Sequence, residues 1–164
     1  NVEYNIRDDI STWGGRNLLK TTKAEKTQAY NSTTLMSWSF AFSGNLPVGT
    51  YTISFDMKSS NGTDKFYYSI ANNGSTVIQI ETGVIPTTSY TRYSKTFDYT
   101  ATSTTNCFFI TSCTSHGGSV NSGNSGTVYI KNVKLEKGNK STDWSPAPED
   151  IARFIGNETI ELYG

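Results

Sequence analysis

The stretch Thr50-Tyr51-Thr52-Ile53-Ser54-Phe55-Asp56-Met57-Lys58-Ser59-Ser60 alternates Tyr51, Ile53, Phe55 and Met57 with Thr52, Ser54, Asp56 and Lys58. Successive side chains of an extended chain point to opposite faces, so this pattern predicts a strand with one buried and one exposed face. Leu46 to Gly49 ahead of it reads as a turn, and Ser60-Asn61-Gly62-Thr63 behind it as another.

Outward from this strand the chain repeats the theme. Short runs rich in β-branched and aromatic residues span Leu35 to Phe42, Lys65 to Ala71, Thr76 to Thr82, Tyr90 to Thr100, Asn106 to Cys113 and Thr127 to Gly138. Gly/Asn/Ser clusters separate them, among them Asn72-Asn73-Gly74-Ser75 and the long stretch from Thr114 to Gly126. Strands at this spacing predict an all-β sandwich of two antiparallel sheets. In the last run Val128 and Ile130 share one parity and Val133 and Leu135 the other. A β-bulge near Lys131-Asn132 would return all four to the core.

With 164 residues the chain has room for one domain with a real core. Residues 1–14 read as a lead or linker and 15–145 as the sandwich. Ser145-Pro146-Ala147-Pro148 cannot continue a ladder, because proline has no N–H to donate, so the domain is expected to close near Trp144. Residues 146–164 read as an exit segment, with a short helix around Asp150 to Phe154 and a strand from Thr159 to Tyr163.

Formal net charge is +0, with aromatic residues at 13% and charged residues at 17%. No basic field exists to attract nucleic acid or anionic lipid, so neither nucleic acid nor membrane is expected as a partner. No apolar run approaches the roughly 20 residues of a membrane helix. Cys107 and Cys113 are six residues apart, about 20 Å along an extended strand, whereas a disulfide needs Cα atoms about 4.4–6.8 Å apart. They read as reduced, small core hydrophobes. Five N-x-S/T triplets, at Asn31, Asn61, Asn73, Asn139 and Asn157, are expected by chance in a chain this rich in Asn, Ser and Thr.

Catalytic signatures are weak. The single histidine, His116, lies in a Gly/Ser loop, and no G-x-S-x-G elbow, H-E-x-x-H helix or phosphate-binding loop occurs. Asp56, Asp64, Glu81 and Asp98 read as solvated acids that keep strand edges soluble, since their spacing does not reveal a facing pair. The chain is therefore expected not to be an enzyme.

Two segments resemble a known family. Gly15 to Thr22, GRNLLKTT, and Ile130 to Asp150, IKNVKLEKGNKSTDWSPAPED, are similar to the borders of carbohydrate-binding-module-like domains in tail proteins of phages that infect Gram-positive bacteria. The Gly49 to Ser60 strand is similar too. The resemblance implies a jelly-roll sandwich on a distal tail, baseplate or receptor-binding protein. Such a module sits at the virion tail tip, is synthesised in the host cytoplasm, and adheres to cell-wall polysaccharide of the host beside other tail proteins. Relatives of this kind often hold a structural calcium with acidic residues on the last strand. Here those positions read Lys131-Asn132, so no metal and no other cofactor is expected. A tail-decoration module contacting other proteins, or a glycan-cleaving enzyme, are the alternatives.

A saccharide needs an aromatic face plus planar polar groups for its hydroxyls. Parity puts Phe66, Tyr68 and Ile70 inside and Lys65, Tyr67 and Ser69 outside, making Tyr67 a candidate platform. Tyr90, Arg92, Ser94 and Thr96 share an outer face, so Tyr90 and Arg92 are candidates. Trp38 shares parity with Phe40 and Phe42 and reads as core, or as the best stacking residue if a concave binding face is lined by its strand. Trp13 reads equally as an anchor for the lead or as a ligand contact. His116, Asn121 and Asn124 could hydrogen-bond a sugar rim from the Thr114 to Gly126 loop, which reads equally well as disordered. Trp144 reads as a plug that packs the end of the sandwich.

Overall fold

A computed structural model describes residues 15–72, 75–101 and 105–150. Trp13 and the rest of the lead, the turn residues Asn73 and Gly74, and the helix and strand expected beyond Asp150 lie outside the described residues. The strands are β1 (Lys26–Tyr30), β2 (Ser37–Ala41), β3 (Gly49–Ser59), β4 (Phe66–Asn72), β5 (Ser75–Val84), β6 (Thr91–Tyr99), β7 (Cys107–Thr111) and β8 (Gly126–Lys137). They form two four-stranded antiparallel sheets, ordered β1-β8-β3-β6 and β2-β7-β4-β5. Apart from the β4-β5 hairpin, each successive strand crosses to the other sheet, which is the wiring of a jelly-roll sandwich.

The inward half of the β3 alternation does what its sequence predicts, with Tyr51, Ile53, Phe55 and Met57 buried between the sheets. The opposite face is not exposed as expected: Thr52 and Ser54 are buried and Asp56 and Lys58 half-buried, because β6, β8 and the segment after β8 cover it. Trp38, Phe40, Phe66, Tyr68, Ile70, Phe108 and Ile110 meet them from the other sheet. Phe55 packs edge-on against Tyr68 at 5.4 Å between ring centroids, and Tyr30 against Phe66 at 5.2 Å. Each such ring contributes about 1.5–3 kcal/mol by burial, and an edge-to-face pair adds about 0.5–1.5 kcal/mol. Cys113 belongs to the buried set and Cys107 is half-buried, both as free thiols.

The bulge forms where the parity slips. Ser54 pairs with Lys134 and Asp56 with Lys131, so Asn132 and Val133 together oppose Phe55. Asn132 takes a left-handed conformation at φ 54°, and Val128, Ile130, Val133 and Leu135 all reach the core. Asparagine tolerates this region better than most residues because its short polar side chain bonds locally.

The structure corrects several expectations. Strand β1 carries no apolar alternation, with Tyr30 as its buried residue, and forms because β8 offers it a ladder. Tyr67 and Ser69 are not exposed but buried, to 2% and 0% exposure. Strand β4 lies inside its sheet, and its pairing with β5 shifts register three times, which brings Thr76 to 3.2 Å from the Tyr67 hydroxyl. Ser69 faces Phe109 across the ladder, and the His116 ring covers Phe109 at 4.3 Å. Asp64 is likewise buried, accepting hydrogen bonds from Tyr30, Asn61 and the Ser125 N–H. The Thr114 to Gly126 loop folds back on itself through bonds from Thr114 N to Ser119 O and from Asn121 N to Ser112 O.

Candidate saccharide site

The outer face of the β1-β8-β3-β6 sheet can be read from its ladder. Asp56 in β3 lies between Lys131 in β8 and Arg92 in β6, and the next outward rung places Ser54 between Lys134 and Ser94. Arg92 is held firmly. Its Nη1 donates to the Asn132 carbonyl at 2.6 Å and to Asp56 at 3.4 Å, and its Nη2 donates to Ser54 Oγ at 2.8 Å. The Asn132 amide donates to the other Asp56 oxygen at 2.7 Å. The bulge therefore aims two polar groups of Asn132, one at Arg92 and one at Asp56.

The segment after β8 closes over this face. Lys134 Nζ donates to Thr142 Oγ1 and to the Asp143 carbonyl, each at 2.7 Å. Glu136 accepts from Thr142 N at 2.9 Å and from its hydroxyl at 2.7 Å. Burial pushes the Lys134 ammonium below its ordinary pKa, a tendency that Arg92 adds to and that Glu136 and Asp143 oppose. Trp144 is half-buried and donates from Nε1 to Thr22 Oγ1 at 3.1 Å, which fixes its indole.

The result is a cavity of about 420 Å³ lined by Asp56, Arg92, Asn132, Ser141, Thr142, Asp143 and Trp144. It offers a guanidinium, carboxylates, an amide and hydroxyls beside an indole, the donor and acceptor set that planar recognition of sugar hydroxyls requires. Asp56 commits one oxygen to Arg92 and the other to Asn132, which fixes its carboxylate in place.

Of the residues expected from sequence, Arg92 lines this cavity and Tyr90 borders the same face. Trp38 is 8% exposed and points into the core, so it offers no stacking surface. Tyr67, being buried, offers none either. His116 is half-buried against Phe109, and burial holds its imidazole below the usual pKa. Asn121 donates to the carbonyls of Lys65 and Ser112, and Asn124 to that of Lys65, so both amides tie down the loop. Asn121 also lines a separate polar cavity of about 350 Å³ with Thr63, Asp64, Lys65 and residues 122–124. A third cavity, of about 270 Å³, lies beside the Arg16–Glu149 ion pair where the described chain enters and leaves.

The sequence reading missed Asp56, Asn132, Asp143 and Trp144 as a group. The bulge was its legible signal, since a bulge re-aims side chains. At the place the resemblance would give to calcium, Lys131 Nζ lies over the Tyr90 ring and Asn132 directs its amide to Asp56 and its carbonyl to Arg92. These groups do not fit a hard cation. Among the described residues no group of three or more His, Cys, Asp or Glu side chains is placed to hold a metal ion. No described helix is long and apolar enough to cross a membrane.

The fold is the jelly-roll class that carbohydrate-binding modules share. The chain is similar to the N-terminal cellulose-binding domain of Cellulomonas fimi β-1,4-glucanase C, with TM-score 0.50 and 17% identity over 75% of this chain and 84% of that one. It is also similar to a family 29 carbohydrate-binding module, with TM-score 0.45 and 16% identity over 76% and 77%. A tripod from the baseplate of bacteriophage Tuc2009 gives TM-score 0.47 and 16% identity over 83% of this chain and 60% of that one. At these identities the likeness is one of fold. No protein family matches the chain by sequence, and neither does any curated protein.

Proposed function

We propose that this chain is a non-catalytic carbohydrate-binding module of a phage tail protein, adhering at the virion tail tip to cell-wall saccharide of a Gram-positive host. The observation that carries the saccharide reading is the convergence of Arg92, Asp56, Asn132 and Trp144 on one cavity of about 420 Å³. The phage assignment rests on the resemblance of Gly15 to Thr22 and Ile130 to Asp150. The closing segment has a structural sense as well: Lys134, Glu136, Thr142 and Asp143 hold it across the sheet, and Trp144 completes the cavity wall. Residues 15–145 form the binding module in this reading, and 146–164 lead out of it. Affinity at one site is weak, and multiple copies on a symmetric tail supply avidity.

The test is binding of the fluorescently labelled chain to intact Gram-positive cells of the suspected host, competed with a panel of free monosaccharides. Labelling abolished by one sugar, and lost in Arg92→Ala and Trp144→Ala variants that keep the wild-type circular dichroism spectrum, supports the proposal. A folded chain that labels no host cells overturns it in favour of a tail-decoration role.

A further inference from the structure

Beside the cavity, the same sheet face carries two lysines laid on tyrosine rings. Lys58 Nζ sits 4.7 Å from the centroids of both Tyr90 and Tyr129, and Lys131 Nζ sits 4.1 Å from that of Tyr90. The ladder explains the arrangement. Lys58 pairs with Tyr129 in β8, Tyr90 directly precedes β6, and Lys131 flanks Asp56 on the side opposite Arg92.

Among the described residues neither ammonium makes an ion pair with a carboxylate. The ion pairs among the described residues are Arg16–Glu149, Arg92–Asp56 and Lys95–Glu81. Asp56 is hydrogen-bonded to Arg92 and Asn132, and burial, with Glu25 adding to it, pushes the Tyr90 hydroxyl above its ordinary pKa. A lysine held over an aromatic face at a partly exposed site gains little, so the rings orient the cations without satisfying their charge. Holding them in place also reduces the side-chain entropy lost when a ligand binds.

We infer that this face takes a saccharide bearing an acidic substituent, a phosphate or a carboxylate, which Lys58 and Lys131 bind while the neighbouring cavity holds the sugar. The inference rests on the saccharide-binding reading. On this reading Tyr90, a stacking candidate by sequence, orients the two cations that lie over its ring.

The experiment uses the same cell-labelling assay with a Lys58→Gln/Lys131→Gln double variant and a charge-preserving Lys58→Arg/Lys131→Arg variant. The glutamine variant is expected to label about ten-fold more weakly at low salt, as two charge interactions near a surface imply, and the arginine variant to label like wild type. Raising salt to about 0.15 M narrows the difference. Cell walls stripped of phosphate by hydrofluoric acid, set against walls whose carboxyl groups have been reduced, identify which acidic group is bound. Wild-type labelling by the glutamine variant, unaffected by salt, overturns the acidic-substituent inference and leaves the saccharide reading standing. Absence of labelling by the wild-type chain overturns both.

Discussion

The Asn132 carbonyl accepts a 2.6 Å hydrogen bond from Arg92, across from β8 to β6, past the intervening strand β3. The left-handed turn of Asn132 at φ 54° accompanies this contact. An alanine there lacks the short polar side chain with which asparagine offsets the Cβ penalty of that conformation, about 1–2 kcal/mol, and loses the amide bond to Asp56. Glycine loses the same amide but not the backbone conformation. Asn132→Ala is expected to lower unfolding free energy in urea by about 1–2 kcal/mol and Asn132→Gly by less than half as much. Equal losses would show that the backbone conformation is not what costs.

Asn17 joins the two ends of the described chain. Fully buried, it donates to Thr22 Oγ1, Val133 O and Ser145 O, and accepts from the N–H groups of Leu19 and Leu135. Asn17→Ala leaves several buried backbone groups without partners, at about 1–3 kcal/mol for an unsatisfied group. Thermal unfolding should therefore fall by several degrees, and Asn17→Asp, which loses the donors but keeps the acceptor, should fall comparably. A change of under a degree in either would show that water replaces the network.

Thr142 bridges two buried charges, accepting from Lys134 and donating to Glu136 through one hydroxyl. Thr142→Val keeps the shape and removes the bridge, so the closing segment should open more often. Faster tryptic cleavage at Lys140, with rescue by Thr142→Ser, is the expected result. Unchanged cleavage would show that the remaining contacts, Lys134 to the Asp143 carbonyl, the Thr142 N–H to Glu136 and Trp144 to Thr22, are enough to hold the segment.

Burial lowers the His116 pKa from its ordinary 6.5. The folded state therefore resists protonation more than the unfolded chain does. The contribution of His116 to stability is complete above pH 6.5 and is lost as pH falls through the lower folded value. A urea midpoint that drops on acidification from pH 7 to pH 5, by less in His116→Gln than in wild type, is the outcome expected. Parallel curves for the two proteins would place the pH dependence elsewhere.

The alternation in β3 was legible because period-2 patterning is a local property, set by which residues face a core. The parity slip between Ile130 and Val133 announced the bulge for the same reason. Strand β1 was illegible because its sequence, KTQAY, carries a single core residue and its pairing partner lies about a hundred residues away in β8. Tyr67 and Ser69 were placed on the wrong side of the solvent boundary because parity tells which face a side chain takes, not whether that face is covered. Arg92 could be assigned to an outer face by its neighbours, but not to a cavity.

By itself the sequence determined the fold class, most strand positions and the inward faces, because hydrophobic periodicity needs only the chain's own neighbours to express it. Only the tertiary structure decided which outer face carries a cavity. That depends on β3, β6, β8 and the segment after β8 coming together. Asp56 and Arg92 are separated by 36 positions and Asp56 and Asn132 by 76. Hydrogen-bond geometry across such distances follows from strand order and register, which no local pattern encodes.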